Sequence, residues 1–155
     1  MTDGDGKKTQ PVLWEADDEI KILYVVDGTE YSVKVTPKSV NGSTAVFEAE
    51  VPETGVDTYY AVYPSSTAAV VDAAAGTVQV TIPIATTSFK KANIMVAKAT
   101  SADRTFDFKP AVSIIRFQMG DNSFKQSGKI DRLSLYSGVR GYVLGDVLCS
   151  FGEDG

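Results

Sequence analysis

Three adjacent carboxylates, Asp17, Asp18 and Glu19, stand just ahead of a β-patterned run. Paired carboxylates can move protons or hold calcium. Consecutive residues of an extended chain point to opposite faces, so three in a row do not easily converge, and a solvated turn is the expectation. Trp14 has the flat face that stacks on a sugar, yet a lone tryptophan before a first strand more often plugs a core. Cys149 is the single cysteine. To attack as a thiolate it needs a neighbouring base, and with no histidine in the chain it reads as a buried or partly buried free thiol. Asp3-Gly4-Asp5-Gly6 has the spacing that opens a calcium loop, but the later oxygen ligands and closing glutamate are missing. Val139-Arg140-Gly141-Tyr142-Val143-Leu144-Gly145 offers glycines without the helix or lysine of a phosphate loop. Lys7-Lys8 and Lys90-Lys91 are too short to form a cationic patch. Tyr24, Tyr31, Tyr59, Tyr60, Tyr63, Tyr136 and Tyr142 suit glycan or protein recognition, though in a β-rich chain most tyrosines pack along sheet faces.

Composition narrows the field further. The 155 residues carry 15 Lys+Arg against 20 Asp+Glu, a net charge of −5, which argues against neutralising nucleic-acid phosphates. Zero histidines exclude Ser-His-Asp and Cys-His catalysis, and one cysteine excludes an internal disulfide and thiolate zinc sites. No catalytic residue, no cofactor and no metal is therefore expected, with calcium left open because carboxylates and carbonyls alone suffice for it. At 43% hydrophobic and 23% charged the chain has the composition of one folded domain. No stretch approaches the roughly 20 apolar residues of a membrane span, and the start has no apolar signal region.

The elements that position these residues are short strands divided by turns. Ile20, Ile22, Tyr24 and Val26 line one face of a first strand, and Asp27-Gly28 is a two-residue hairpin signal into Tyr31, Val33 and Val35. After Asn41-Gly42, Ala45, Phe47, Ala49 and Val51 alternate with Glu48 and Glu50 until Pro52 ends the pattern. Further strands are expected at Thr58–Tyr63, Thr77–Ile82, Ile94–Ala99, Phe106–Phe108 running into Val112–Met119, Ile130–Tyr136 and Val139–Leu148. The alanine-rich stretch from Ser65 to Gly76 is the one candidate for a short helix or compact loop. Turns every 8–12 residues or so predict an all-β antiparallel sandwich or barrel. Period-2 patterning turns Tyr31, Val33, Val35, Phe47, Ala49, Ile82, Val96, Ile114, Phe117, Leu133 and Leu135 inward, between two sheets.

The order of landmarks carries a resemblance. Trp14-Glu15-Ala16-Asp17-Asp18-Glu19-Ile20 opens the first strand, followed by Tyr60-Ala61-Val62-Tyr63-Pro64 and Val78-Gln79-Val80-Thr81-Ile82-Pro83. Asn93-Ile94-Met95-Val96-Ala97 and Phe106-Asp107-Phe108-Lys109-Pro110-Ala111-Val112-Ser113-Ile114-Ile115-Arg116-Phe117 come later. This succession, from about Trp14 to Leu148, resembles the N-terminal domain of the Bacteroidetes fimbrillin-like proteins, pilus and pilus-like subunits exported as lipoproteins. The resemblance implies a transthyretin-like antiparallel β-sandwich over 14–149, a flexible tail at 1–13, a short tail at 150–155, and a second β domain absent from this chain.

It also implies a non-enzymatic structural or adhesive subunit of a fimbria or pilus, working at the cell outer membrane or surface by cell-adhesion contacts. Its partners would be other fimbrial subunits or host and bacterial surface ligands, with no nucleic acid, and membrane attachment only through a lipid anchor that this chain lacks. Subunits of that family polymerise by strand exchange, in which main-chain hydrogen bonds supply affinity. The family's processing arginine has no counterpart here, since no arginine precedes Arg104, and no lipobox cysteine is present. Glu19–Val26 and Val139–Leu148 are the expected exchangeable strands. Two other readings stand beside this one: a carbohydrate-binding sandwich of a glycan-uptake lipoprotein, marked by an exposed row of coplanar aromatics, and a β domain that stays in the cytoplasm.

Overall fold

Side-chain parity explains how the sheets stack. In the computed structural model, residues 12–52, 54–83, 88–112 and 145–152 are described. The strand Ile20–Val26 (β1) runs antiparallel to Thr29–Val35 (β2), with Tyr24 opposite Tyr31. The turn between them is Asp27-Gly28, both with positive φ (48° and 77°), the backbone that a two-residue hairpin of right-twisted strands demands. A Cβ at Gly28 would meet nothing within 4 Å. Gly28→Ala is therefore expected to cost about 1 kcal/mol through backbone strain alone, measurable as a lower urea midpoint without a change in slope.

Thr58–Tyr63 (β5) pairs with β1 on one side and with Met95–Thr100 (β8) on the other. The two-residue strand Lys109–Pro110 (β9) follows β8, giving a five-stranded sheet ordered β2-β1-β5-β8-β9. A second sheet joins Gly145–Ser150 (β10), Thr77–Ile82 (β7) and Ala69–Asp72 (β6), in that order. A separate hairpin pairs Pro37–Asn41 (β3) with Thr44–Phe47 (β4) across the Asn41-Gly42 turn. The architecture is all-β, mostly antiparallel and sandwich-like.

Both faces of the five-stranded sheet are covered. Leu23, Tyr60, Val62 and Val96 of one parity meet Val78 and Val80 of β7 and the partly buried Val71, Val147, Cys149 and Phe151. The opposite parity, Ile20, Ile22, Tyr59, Tyr63 and Met95, packs with Trp14, Val33, Val35, Phe47, Ala49, Val51, Phe106 and Phe108. Two-sided burial explains why β5 is buried at all but its first residue.

Several expectations need correction. Ile82 and Val96 do lie between the two larger sheets, but Val33, Val35, Phe47 and Ala49 pack on the far face of the central sheet. Tyr31 is 48% exposed because β2 is an edge strand among the described residues. Ser65–Gly76 forms no helix. Ala69 and Val71 turn toward the core while Val70 and Asp72 face out, the strand pattern that pairing with β7 selects. Pairing overrides the helical preference of Ala73-Ala74-Ala75, a run too short to nucleate a helix by itself. Those alanines form the turn into β7, closed by the Ala75 amide donating to Asp72 Oδ1 at 2.9 Å. The one helix among the described residues is Phe89–Ala92 (α1).

Phe106–Phe108 is irregular rather than a strand, and only Lys109–Pro110 bridges to β8, since proline has no amide to continue a ladder. Ser150 ends β10, and Phe151 packs against Tyr60 and under Lys98. Ile114, Phe117, Leu133, Leu135 and the strands expected at Val112–Met119, Ile130–Tyr136 and 139–144 lie outside the described residues, save Val112 itself. One further link joins the sheets: the Val71 amide of β6 donates to Glu30 Oε2 of β2 at 2.6 Å.

Candidate functional site

A groove of about 950 Å³ lies on the far face of the central sheet, bounded by the continuous run Ser43–Val51 along one wall and Arg104–Phe106 with Phe108 along the other. Ile22 of β1 and Tyr59 of β5 form its floor because both belong to the outward parity of buried strands. Trp14 closes one end. Its ring meets Phe47, Tyr63 and Phe108 edge-on at centroid distances of 5.4, 5.5 and 5.3 Å. Such edge-to-face contacts suit the positive rim of one ring to the negative face of another. The Trp14 amide also donates to Gly42 O at 2.9 Å, tying residue 14 to the β3–β4 turn. Trp14 is thus a plug, as its position before the first strand suggests.

The groove's charged side chains, Glu48, Glu50 and Arg104, belong to exposed residues. Glu48 pairs with Lys38 across the hairpin, and both side chains are well exposed. The Arg104 Nε–H donates to Ser101 O at 3.4 Å, and the Tyr59 hydroxyl donates to Pro52 O at 2.6 Å. The groove therefore offers apolar contact and main-chain edges rather than a nucleophile with its base.

Beside it lies the strongest electrostatic feature among the described residues. Lys90 Nζ on α1 lies 2.5 Å from Glu15, 3.1 Å from Asp17 and 3.2 Å from Asp18. Asp18 is only 5% exposed, and its carboxylate accepts from the Glu15 amide at 2.7 Å and from the Tyr63 hydroxyl at 2.8 Å. Hydrogen bonds to Glu15 and Asp17 hold the Lys90 ammonium well above its usual range, and the Lys90 hydrogen bond pulls Asp17 down. Burial, then the bond to Asp18, raises the Tyr63 hydroxyl, and burial raises Tyr60.

The acidic triplet thus divides. Asp17 and Asp18 converge on Lys90 together with Glu15, whereas Glu19 accepts from the Ser65 hydroxyl on the loop after β5. The turn at Ala16-Asp17 permits a convergence that a straight strand would forbid. Lys90-Lys91, read in the sequence as a pair too short for a patch, supplies the central cation; its partners are distant in sequence, so no spacing signal marks them. Burial raises the Cys149 thiol and holds it protonated, in keeping with a partly buried free thiol. Tyr24 and Tyr31 stack at 5.8 Å with planes 17° apart, so each spends a face on the other. Among the described residues no group of three or more His, Cys, Asp and Glu is placed to hold a metal ion. The Asp3–Gly6 stretch, Lys7-Lys8, residues 139–144, Tyr136 and Tyr142 lie outside them.

These groups give a pH dependence of known sign. Tyr63 and Tyr60 titrate above their ordinary 10.0 in the folded chain, so the stability they confer is complete below about pH 10 and falls as pH rises further. Lys90, raised from 10.5, acts in the same direction. Urea midpoints measured from pH 8 to about 11.5 should decline steeply above pH 10, and Tyr63→Phe should flatten that decline.

No family model matches this chain, and neither the curated proteins nor the solved structures contain a significant match to it.

Proposed function

We propose that the chain is a non-enzymatic structural or adhesive subunit of a fimbria-like surface assembly, acting through protein–protein contacts and strand exchange. The observation that supports this most is the position of β10. Among the described residues it is an end strand of its sheet, bonded to β7 over Gly145–Ser150 with no proline inside, and Leu148 is 66% exposed. A strand of that kind can leave or join a ladder without breaking others. Of the two segments expected to exchange, Glu19–Val26 is ruled out as an edge, because β1 lies between β2 and β5 with Ile20 and Leu23 buried. In this reading the described part of the final segment, β10, is the strand that exchanges.

The carbohydrate-binding reading draws less support. Trp14 meets three other rings, and the Tyr24–Tyr31 pair is stacked rather than coplanar. Hydrogen exchange on the chain tests the proposal directly. The β10 amides should exchange at least about tenfold faster than those of β5 and β8, reflecting local opening. Equal protection in all three strands would remove strand exchange through β10.

A further inference from the structure

Residues 12–18 form no strand, yet they carry Trp14 into the end of the groove. Two kinds of attachment hold them. The first is apolar: three edge-on ring contacts and one backbone bond, Trp14 N to Gly42 O. The second is ionic: Glu15, Asp17 and Asp18 all meet the single ammonium of Lys90, on a helix that follows β7 in the chain. Val12 and Leu13, which lead into Trp14, are exposed.

We propose that this segment is a latched strap: Lys90 clasps three of its carboxylates and keeps Trp14 seated, so that loss of the Lys90 charge frees Trp14 while the sheets stay folded. Without the ammonium, three carboxylates within reach of one point repel one another, and Asp18 keeps only its neutral donors, the Glu15 amide and the Tyr63 hydroxyl. The repulsion acts on the chain flanking Trp14. The sheet itself is held by its ladders and, on the opposite face, by the cluster of Leu23, Tyr60, Val62, Val78 and Val96, to which none of the latch residues belongs. Lys90 is 40% exposed at its side chain, open to salt and to any chemistry that neutralises an amine. Release would open one end of the groove and bare Phe47 and Phe108. Its consequence is independent of any assembly role.

Trp14 is the only tryptophan, so its fluorescence reports the strap without interference. Acrylamide quenching and emission maximum should be measured for the native chain, Lys90→Gln, the Glu15→Gln/Asp17→Asn double variant and Lys91→Gln. In Lys90→Gln the quenching constant should rise roughly twofold with a red shift, while hydrogen-exchange protection of β5 and β8 is unchanged. The double variant should move part of the way, and so should the native chain at about 1 M salt. Lys91→Gln should behave as the native chain. Unchanged Trp14 quenching in a folded Lys90→Gln overturns the latch, as does an equal response in Lys91→Gln. Should Lys90→Gln unfold, the double variant decides: a folded protein with a native-like Trp14 signal overturns the proposal, and so does loss of the sheets.

Discussion

Replacing Leu23 by alanine is expected to lower stability by about 2–5 kcal/mol, toward the upper end of that range. Leu23 is 1% exposed at the middle of β1, packed with Tyr60, Val62 and Val78 between the two larger sheets. β1 is bonded on both sides, to β2 and β5, so the backbone around the lost side chain cannot readily collapse into the cavity. Val46→Ala on β4 is the matched control, since Val46 is 56% exposed and should change stability by no more than about 0.5 kcal/mol. Chemical denaturation of both variants gives the comparison. A Leu23→Ala cost no larger than that of Val46→Ala would mean that the contact between the sheets is not a packed core.

The second large effect is polar. Asp18→Ala should cost about 3 kcal/mol, because it strands the buried Tyr63 hydroxyl and also removes the acceptor of the part-buried Glu15 amide. Tyr63→Phe should cost less, since it removes a donor and leaves Asp18 with its other partners. The double variant then measures the coupling: if the Asp18–Tyr63 bond is worth what its burial implies, the single costs should exceed the joint cost by about 1 kcal/mol or more. Simple additivity would show that the two groups act independently despite lying 2.8 Å apart.

Much of this arrangement was legible from residue alternation. The β1–β2 hairpin, with its Asp27-Gly28 turn, and the limits of β5 and β7 follow from period-2 patterning and turn chemistry, both of which are local. What alternation could not supply is which side of a sheet finds a cover. Phe47 and Val96 read alike as inward-facing residues, but they pack against opposite faces of one sheet. The short strands β3 and β6 escaped notice for a related reason: Lys38 and Ser39 look like loop residues and Ala73–Ala75 like helix, and only a partner strand settles them. The ionic cluster is the extreme case. Asp18, Tyr63 and Lys90 sit on a loop, a strand and a helix, and no local pattern couples them.

The Glu30 carboxylate bound to the Val71 amide bears on how the molecule behaves in a crowd. Among the described residues β6 is an end strand, and Val70 beside that bond is 62% exposed, a combination that invites stray chains to add on. Any newcomer seeking the Val71 amide finds it already engaged and must displace an anion lent by the neighbouring sheet. One acidic residue thereby acts as a gatekeeper against aggregation along that border, and its removal would leave the Val71 amide open to an added strand.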